Sequence, residues 1–217
     1  MTTKDNTKEI NFEEKIEWYL TSFGGYTKGT EEGYNPRKWY KPDTLIEFVK
    51  KTQPNEWKKY SSFHPNNAER YFTDILEKRI SNNGLLQILR EWLKLDWQTF
   101  KLIYFKPETW LNDDVIDCYN NNIIECVRQL HYSEHNENSV DVALFFNWFP
   151  LILLELKNQY TNQNIKNAIR QWREDRDPNE PIFRFNERCL VFFAVDLTLF
   201  LVCIFFFNCL IFAFDFW

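Results

Sequence analysis

The sequence predicts an α/β domain, a small mixed sheet flanked by helices, with an amino-terminal half that is mostly helical. Three observations lead there. Apolar residues recur at helical intervals through much of the first 95 residues; two apolar runs of strand length adjoin at 140–146 and 151–156; and a helical stripe separates these from a further apolar run at 190–195. A chain of 217 residues, 44% hydrophobic and 26% charged, is long enough and apolar enough to bury a core. With 18% aromatic residues, that core should be rich in rings.

Taken in order, residues 11–20 place Phe12, Ile16 and Tyr19 on one helical face, and Gly24-Gly25 stops the helix. Residues 26–42 read as loop. Asp43 is the expected cap of a second helix carrying Leu45, Ile46, Phe48 and Val49. A third spans 67–81 with Tyr71, Ile75, Leu76 and Ile80 inward, and 85–95 continues at helix-like spacing. The alternation Phe100, Leu102, Tyr104 predicts a strand over 99–105 that Pro107 ends. Residues 120–131 fit either strand or loop. The runs 140–146 and 151–156 predict a hairpin, and Ile165, Ala168, Ile169 and Trp172 a helix capped by Thr161 or Asn162. Two more strands are expected at 182–185 and 190–195.

A net charge of −5 argues against a diffuse basic DNA-binding surface but not against a nuclease, whose own site is acidic. Five cysteines without a CxxC pair read as reduced thiols, and residues 1–9 carry no secretory signal, so the expected compartment is the cytoplasm. The three histidines offer no metal or triad pattern, and GxSxG, GxxxxGK[ST] and HExxH are all absent. From Cys189 onward there is no Lys, Arg, Glu, Gly or Pro. Residues 197–214 approach the ~20 apolar residues of a membrane span, but without basic flanks, so a membrane is not the expected partner.

The chemistry concentrates on the hairpin. Asp141 lies in its first strand, while Glu155-Leu156-Lys157 ends the second. A charge inside an apolar run needs a metal, a counter-ion or water. Glu155 and Lys157, two apart on a strand, share a face. With Asp141 added, two carboxylates can hold Mg²⁺, whose water could attack phosphorus while Lys157 orients it or offsets developing charge. By spacing alone, the same residues also fit a solvated ion pair at a strand edge. Register decides whether the site forms. A two-residue turn at Asn147-Trp148 pairs Phe146 with Phe149 and sends Asp141 and Glu155 to opposite faces, whereas an odd loop or a bulge reunites them. Trp148 would carry about 1 kcal/mol of strain if it had to be left-handed. On the next helix, Gln171 and Asp175 are i and i+4 and share a face.

The run Ser139-Val140-Asp141-Val142-Ala143-Leu144-Phe145-Phe146-Asn147, the segment from Pro150 to Glu155-Leu156-Lys157, and Gln171 follow in an order that resembles the amino-terminal domain of the restriction (R) subunit of type I restriction-modification enzymes. Phe12-Glu13-Glu14-Lys15-Ile16, Thr52-Gln53-Pro54 with Trp57, and Arg128-Gln129-Leu130 extend the resemblance over residues 11–198. It implies a restriction-endonuclease-like PD-(D/E)xK fold with Asp141, Glu155 and Lys157 as catalytic residues and Asp141 and Glu155 as metal ligands. Gln171 looks like the glutamine of the family's QxxxY motif, Asp175 stands where that motif has Tyr, and the two are the expected DNA-binding residues. The family often has Gly after the hairpin Asn, where this chain has Trp148. The resemblance also implies double-stranded DNA as substrate, modification and specificity subunits as partners, and an ATP-consuming motor that this chain does not encode. Residues 1–198 are therefore expected to form the nuclease domain, and 199–217 an aberrant apolar end from a frameshift or truncation. Two alternatives stay open: an inactive or tail-anchored remnant that is no enzyme, and a DNA-repair nuclease of similar fold.

Overall fold

The computed structural model describes residues 3–108, 111–157, 165–184, 187–195, 200–203 and 211–214, with side chains between residues 11 and 195. Its centre is a mixed sheet in the order β1-β4-β5-β6-β7-β8-β9. The strands are β1 (Thr27–Lys28), β4 (Ile124–His131), β5 (Ser139–Phe146), β6 (Phe149–Leu156), β7 (Val191–Val195), β8 (Phe200–Cys203) and β9 (Ile211–Phe214). β1 runs parallel to β4 and β7 parallel to β6; the other neighbours are antiparallel. A separate hairpin joins β2 (Leu93–Leu95) and β3 (Gln98–Phe100).

The sheet is covered on both faces. On one, α1 (Thr3–Phe23) lays Phe12, Ile16 and Leu20 over Cys126, Val142, Leu144, Leu154, Leu156 and Val195. The inward stripe therefore steps by four to Leu20, and Tyr19 stays 61% exposed. The other face is larger and aromatic. There Ala143, Phe145, Leu153, Phe192 and Ala194 meet α2 (Pro42–Thr52), α3 (Pro54–Phe63), α4 (Ala68–Asn83), α5 (Leu85–Glu91) and α7 (Ile165–Arg170). Burying a ring such as Trp148 or Phe149 contributes about 2–3 kcal/mol each, so this layer holds most of the hydrophobic stabilisation.

Several elements depart from expectation for local reasons. α2 begins at Pro42 with Lys41 as its cap residue, which places Asp43 in the first turn, where its charge still suits the helix dipole. α4 buries Phe72, Thr73, Leu76 and Ile80, leaving Tyr71 exposed. Trp92, at φ +65°, ends α5 so that 93–95 can pair as a strand. The strand expected over 99–105 stops at Phe100. Two side-chain amides take over its backbone groups beyond that point: Gln53 donates to the Lys101 carbonyl and accepts from its N–H, and Asn122 does the same for Tyr104. Residues 120–131 divide between the end of α6 (Asp113–Asn120) and β4. The strand expected at 182–185 is instead a 3₁₀ turn, Pro181–Phe183, since Pro181 fits a helical first position and supplies no ladder donor. Thr161, Asn162 and Phe185, and much of the apolar end, lie outside the described residues. Within that end, 200–203 and 211–214 extend the sheet beside β7.

Candidate metal and phosphodiester site

The β5–β6 hairpin combines the two-residue turn at Asn147-Trp148 with a bulge. Its turn is short, pairing Phe146 with Phe149 and Phe145 with Pro150, and the register then shifts so that Leu144 faces Ile152 and Val142 faces Leu154. Leu151 is the extra residue. Its carbonyl is occupied from outside the hairpin, by the Leu190 N–H at 3.0 Å and the Cys189 thiol at 3.3 Å. Continued by one pair, the shifted register sets Asp141 beside Glu155 on the face opposite α1. The left-handed turn residue is Asn147, at φ +56°, rather than Trp148. Asn tolerates that conformation, so Trp148 carries no such strain and is fully buried against Phe48 and Phe149.

Asp141, Glu155 and Lys157 come together at the open end of the hairpin. Asp141 Oδ2 accepts the Leu156 N–H at 2.7 Å, which fixes the carboxylate while leaving Asp141 partly exposed. Glu155 is 1% exposed, and its Oε1 lies 3.7 Å from Lys157 Nζ. Lys157 is itself held by its N–H bond to the Val195 carbonyl. Burial and then the Asp141 charge push the Glu155 carboxyl up to about 8, against the pull of Arg176 and Lys157. Burial also raises Asp141, opposed by Lys157 and by the Leu156 N–H. Two neighbouring carboxylates, one of them buried, resist joint ionisation unless positive charge is supplied.

Gln171 and Asp175 open and close a π-helical turn, Gln171–Asp175, that follows α7. Gln171 is half-buried, and Asp175 is exposed and directed to solvent. The helix meets the cluster through Arg176. Its Nη2 donates to Glu155 Oε2 at 2.7 Å and its Nη1 to the Tyr132 hydroxyl at 2.8 Å. Arg176 and Tyr132 are not among the residues expected from sequence. A signal for Arg176 was present, because the inward stripe Ala168, Trp172 continues four residues on to position 176, where a charge stands in an apolar register.

Residues 44–205 match the family model of the type I restriction enzyme R protein N terminus. The chain belongs to that family. The match covers the sheet from β4 to β8 and every helix but α1, and runs past residue 198 into β8. Membership places the chain in a restriction system and associates it with a restriction endonuclease domain that works with DNA and other subunits. No curated protein matches the chain. Among the described residues, no helix is long and apolar enough to cross a membrane.

Proposed function

We propose that this domain hydrolyses DNA phosphodiester bonds, with Mg²⁺ held by Asp141 and Glu155 and with Lys157 beside it. The observation that carries the reading is the bulge at Leu151, which sets the partly exposed Asp141 carboxylate beside the buried Glu155 carboxylate, with an ammonium next to them, at the end of an otherwise apolar hairpin. The donor set fits the ion. The site offers two carboxylates, and Mg²⁺ commonly binds one or two carboxylates while keeping water and substrate phosphate as its remaining ligands. The raised Glu155 carboxyl points the same way, since a cation between the pair relieves their repulsion.

Bound there, Mg²⁺ would supply Lewis-acid stabilisation of the phosphate and a more acidic water at neutral pH. The chain supplies the rest. The Leu156 N–H fixes one oxygen of Asp141 and Arg176 one oxygen of Glu155, which holds the two carboxylates in orientation for the ion they would bind. Lys157 offers its ammonium to the phosphate oxygens as charge develops, or orients the attacking water. Double-stranded DNA is the substrate, Gln171 and Asp175 lie on the helix offered to it, and the cytoplasm is the compartment. Modification and specificity subunits set the target, while an R-protein motor consumes ATP.

In an assembled type I complex, Asp141→Ala or Lys157→Ala should lower cleavage of unmodified DNA below about one-thousandth of normal, ~4 kcal/mol of barrier. ATP hydrolysis and translocation should continue. Normal cutting by both variants would remove the assignment.

A further inference from the structure

Arg176 holds an unusual position. It is 7% exposed, buried with Glu155, and connects three elements: the helix that carries it, strand β6 through Glu155, and the segment after β4 through Tyr132. Its guanidinium carbon lies 5.2 Å from the Tyr132 ring centroid and 5.6 Å from that of Trp172, so two rings flank the group in addition to its hydrogen bonds. Both neighbours are anchored in turn. The Trp172 indole N–H donates to the Phe193 carbonyl at 3.0 Å, and Ser133, next to Tyr132, donates its hydroxyl to Glu180. Single π turns recur at functional sites, and here the turn ends immediately before Arg176.

We propose that Arg176 is a positioning residue for the metal ligand Glu155, braced by Tyr132. The proposal rests on the metal-site reading above and adds a group to it. A carboxylate has two oxygens and a freely rotating end. With Oε2 taken at 2.7 Å by Arg176, the group is locked with Oε1 turned toward Lys157 and the site. The planar fork is essential, because Nη1 and Nη2 reach two different acceptors at once; a lysine ammonium could not reproduce that geometry at both. Arg176 also repels an incoming cation, but it does so from the far oxygen of Glu155, whereas a mis-rotated Glu155 withdraws a direct ligand. The net effect of losing Arg176 is therefore weaker metal binding. Outer partners of metal ligands commonly change affinity by about 10–100-fold.

The test is direct Mn²⁺ binding to this chain, by calorimetry or by the paramagnetic signal of the free ion, in wild type, Asp141→Ala, Arg176→Met, Arg176→Lys and Tyr132→Phe. Circular dichroism melts accompany each variant. Wild type should bind and Asp141→Ala should not. Arg176→Met should bind at least about tenfold more weakly, Arg176→Lys should fail to restore affinity, and Tyr132→Phe should lose affinity in the same direction by less. If Arg176→Met does not fold, Tyr132→Phe decides, since it removes only a hydroxyl. Wild-type Mn²⁺ affinity in Tyr132→Phe and Arg176→Met, with binding lost in Asp141→Ala, would overturn the positioning role and leave the metal site standing. Full recovery by Arg176→Lys would overturn it too, because charge and not the fork would then suffice. Absence of Mn²⁺ binding in wild type, or unchanged binding in Asp141→Ala, would sink the metal reading and this role with it.

Discussion

The two ends of the β5–β6 hairpin are made from the same pair of strands and are built to opposite ends. At the closed end, Asn147 is fully buried and its amide ties the turn to two other stretches of chain, at Leu102 and at Asn122-Ile123. It donates to the Leu102 carbonyl at 3.0 Å and to Asn122 Oδ1 at 3.2 Å, and accepts the Ile123 N–H at 2.7 Å. Rings surround it: Trp148 lies 4.9 Å from Phe48, and Phe149 stacks on Trp39 at 5.2 Å. At the open end, Glu155, Lys157 and Arg176 are buried together beside the partly exposed Asp141, and the Glu155 carboxyl is pushed up to about 8. One end concentrates stabilising contacts while the other holds charges that are costly to bury. The distance between them along the strands lets a rigid scaffold hold an energetically unfavourable site.

That contrast can be broken at either end. Trp148→Ala should be the larger perturbation, lowering unfolding free energy by about 3–5 kcal/mol, because the turn end has no small residue that could collapse into the space. Denaturant melts would measure it, and a loss under ~1 kcal/mol would mean the rings there are not the anchor. Glu155→Gln should act in the other direction. A carboxyl raised from 4.5 to about 8 in the folded state contributes stability that is fully present below pH 4.5 and lost as pH rises through 8. Metal-free wild type should therefore weaken across that window, and Glu155→Gln should flatten the slope, with an advantage on the order of 2 kcal/mol at its alkaline end. Added Mg²⁺ should restore the wild type and leave the Gln variant unmoved; parallel pH profiles for the two proteins would contradict this. Asp175→Ala should do least, within about 0.5 kcal/mol in melts, because its side chain faces solvent. A larger shift would show that the π turn depends on it.

What the sequence revealed follows the same division. The hairpin and the shared face of Glu155 and Lys157 were legible because strand parity is a property of residue order. Whether the two carboxylates would meet was not, since the turn and the bulge at Leu151 depend on contacts that residues 189 and 190 make from elsewhere in the chain. Helices α3 and α6 were hard to see for a different reason: they run only ten and eight residues, α3 buries only Tyr60 and α6 buries no residue, so little of either is tied to the core pattern. The over-long strand at 99–105 had the correct alternation, but alternation does not disclose that Gln53 and Asn122 will take up the backbone groups a neighbouring strand would otherwise satisfy. Arg176 was passed over because the i, i+4 partner of Gln171 is Asp175, whereas the inward stripe is set by Trp172.

The bulge at Leu151 also limits how this hairpin can diverge. Turn length and bulge act as two counters whose sum fixes the face on which position 155 emerges, so a single inserted or deleted residue anywhere between positions 141 and 155 would exchange Glu155 for a leucine at the site. Two such changes, one in the turn and one in the strand, would cancel. The spacing between the two acids is therefore constrained as odd or even more strictly than as a length, and hairpins with a three-residue turn would be expected to lack the bulge altogether.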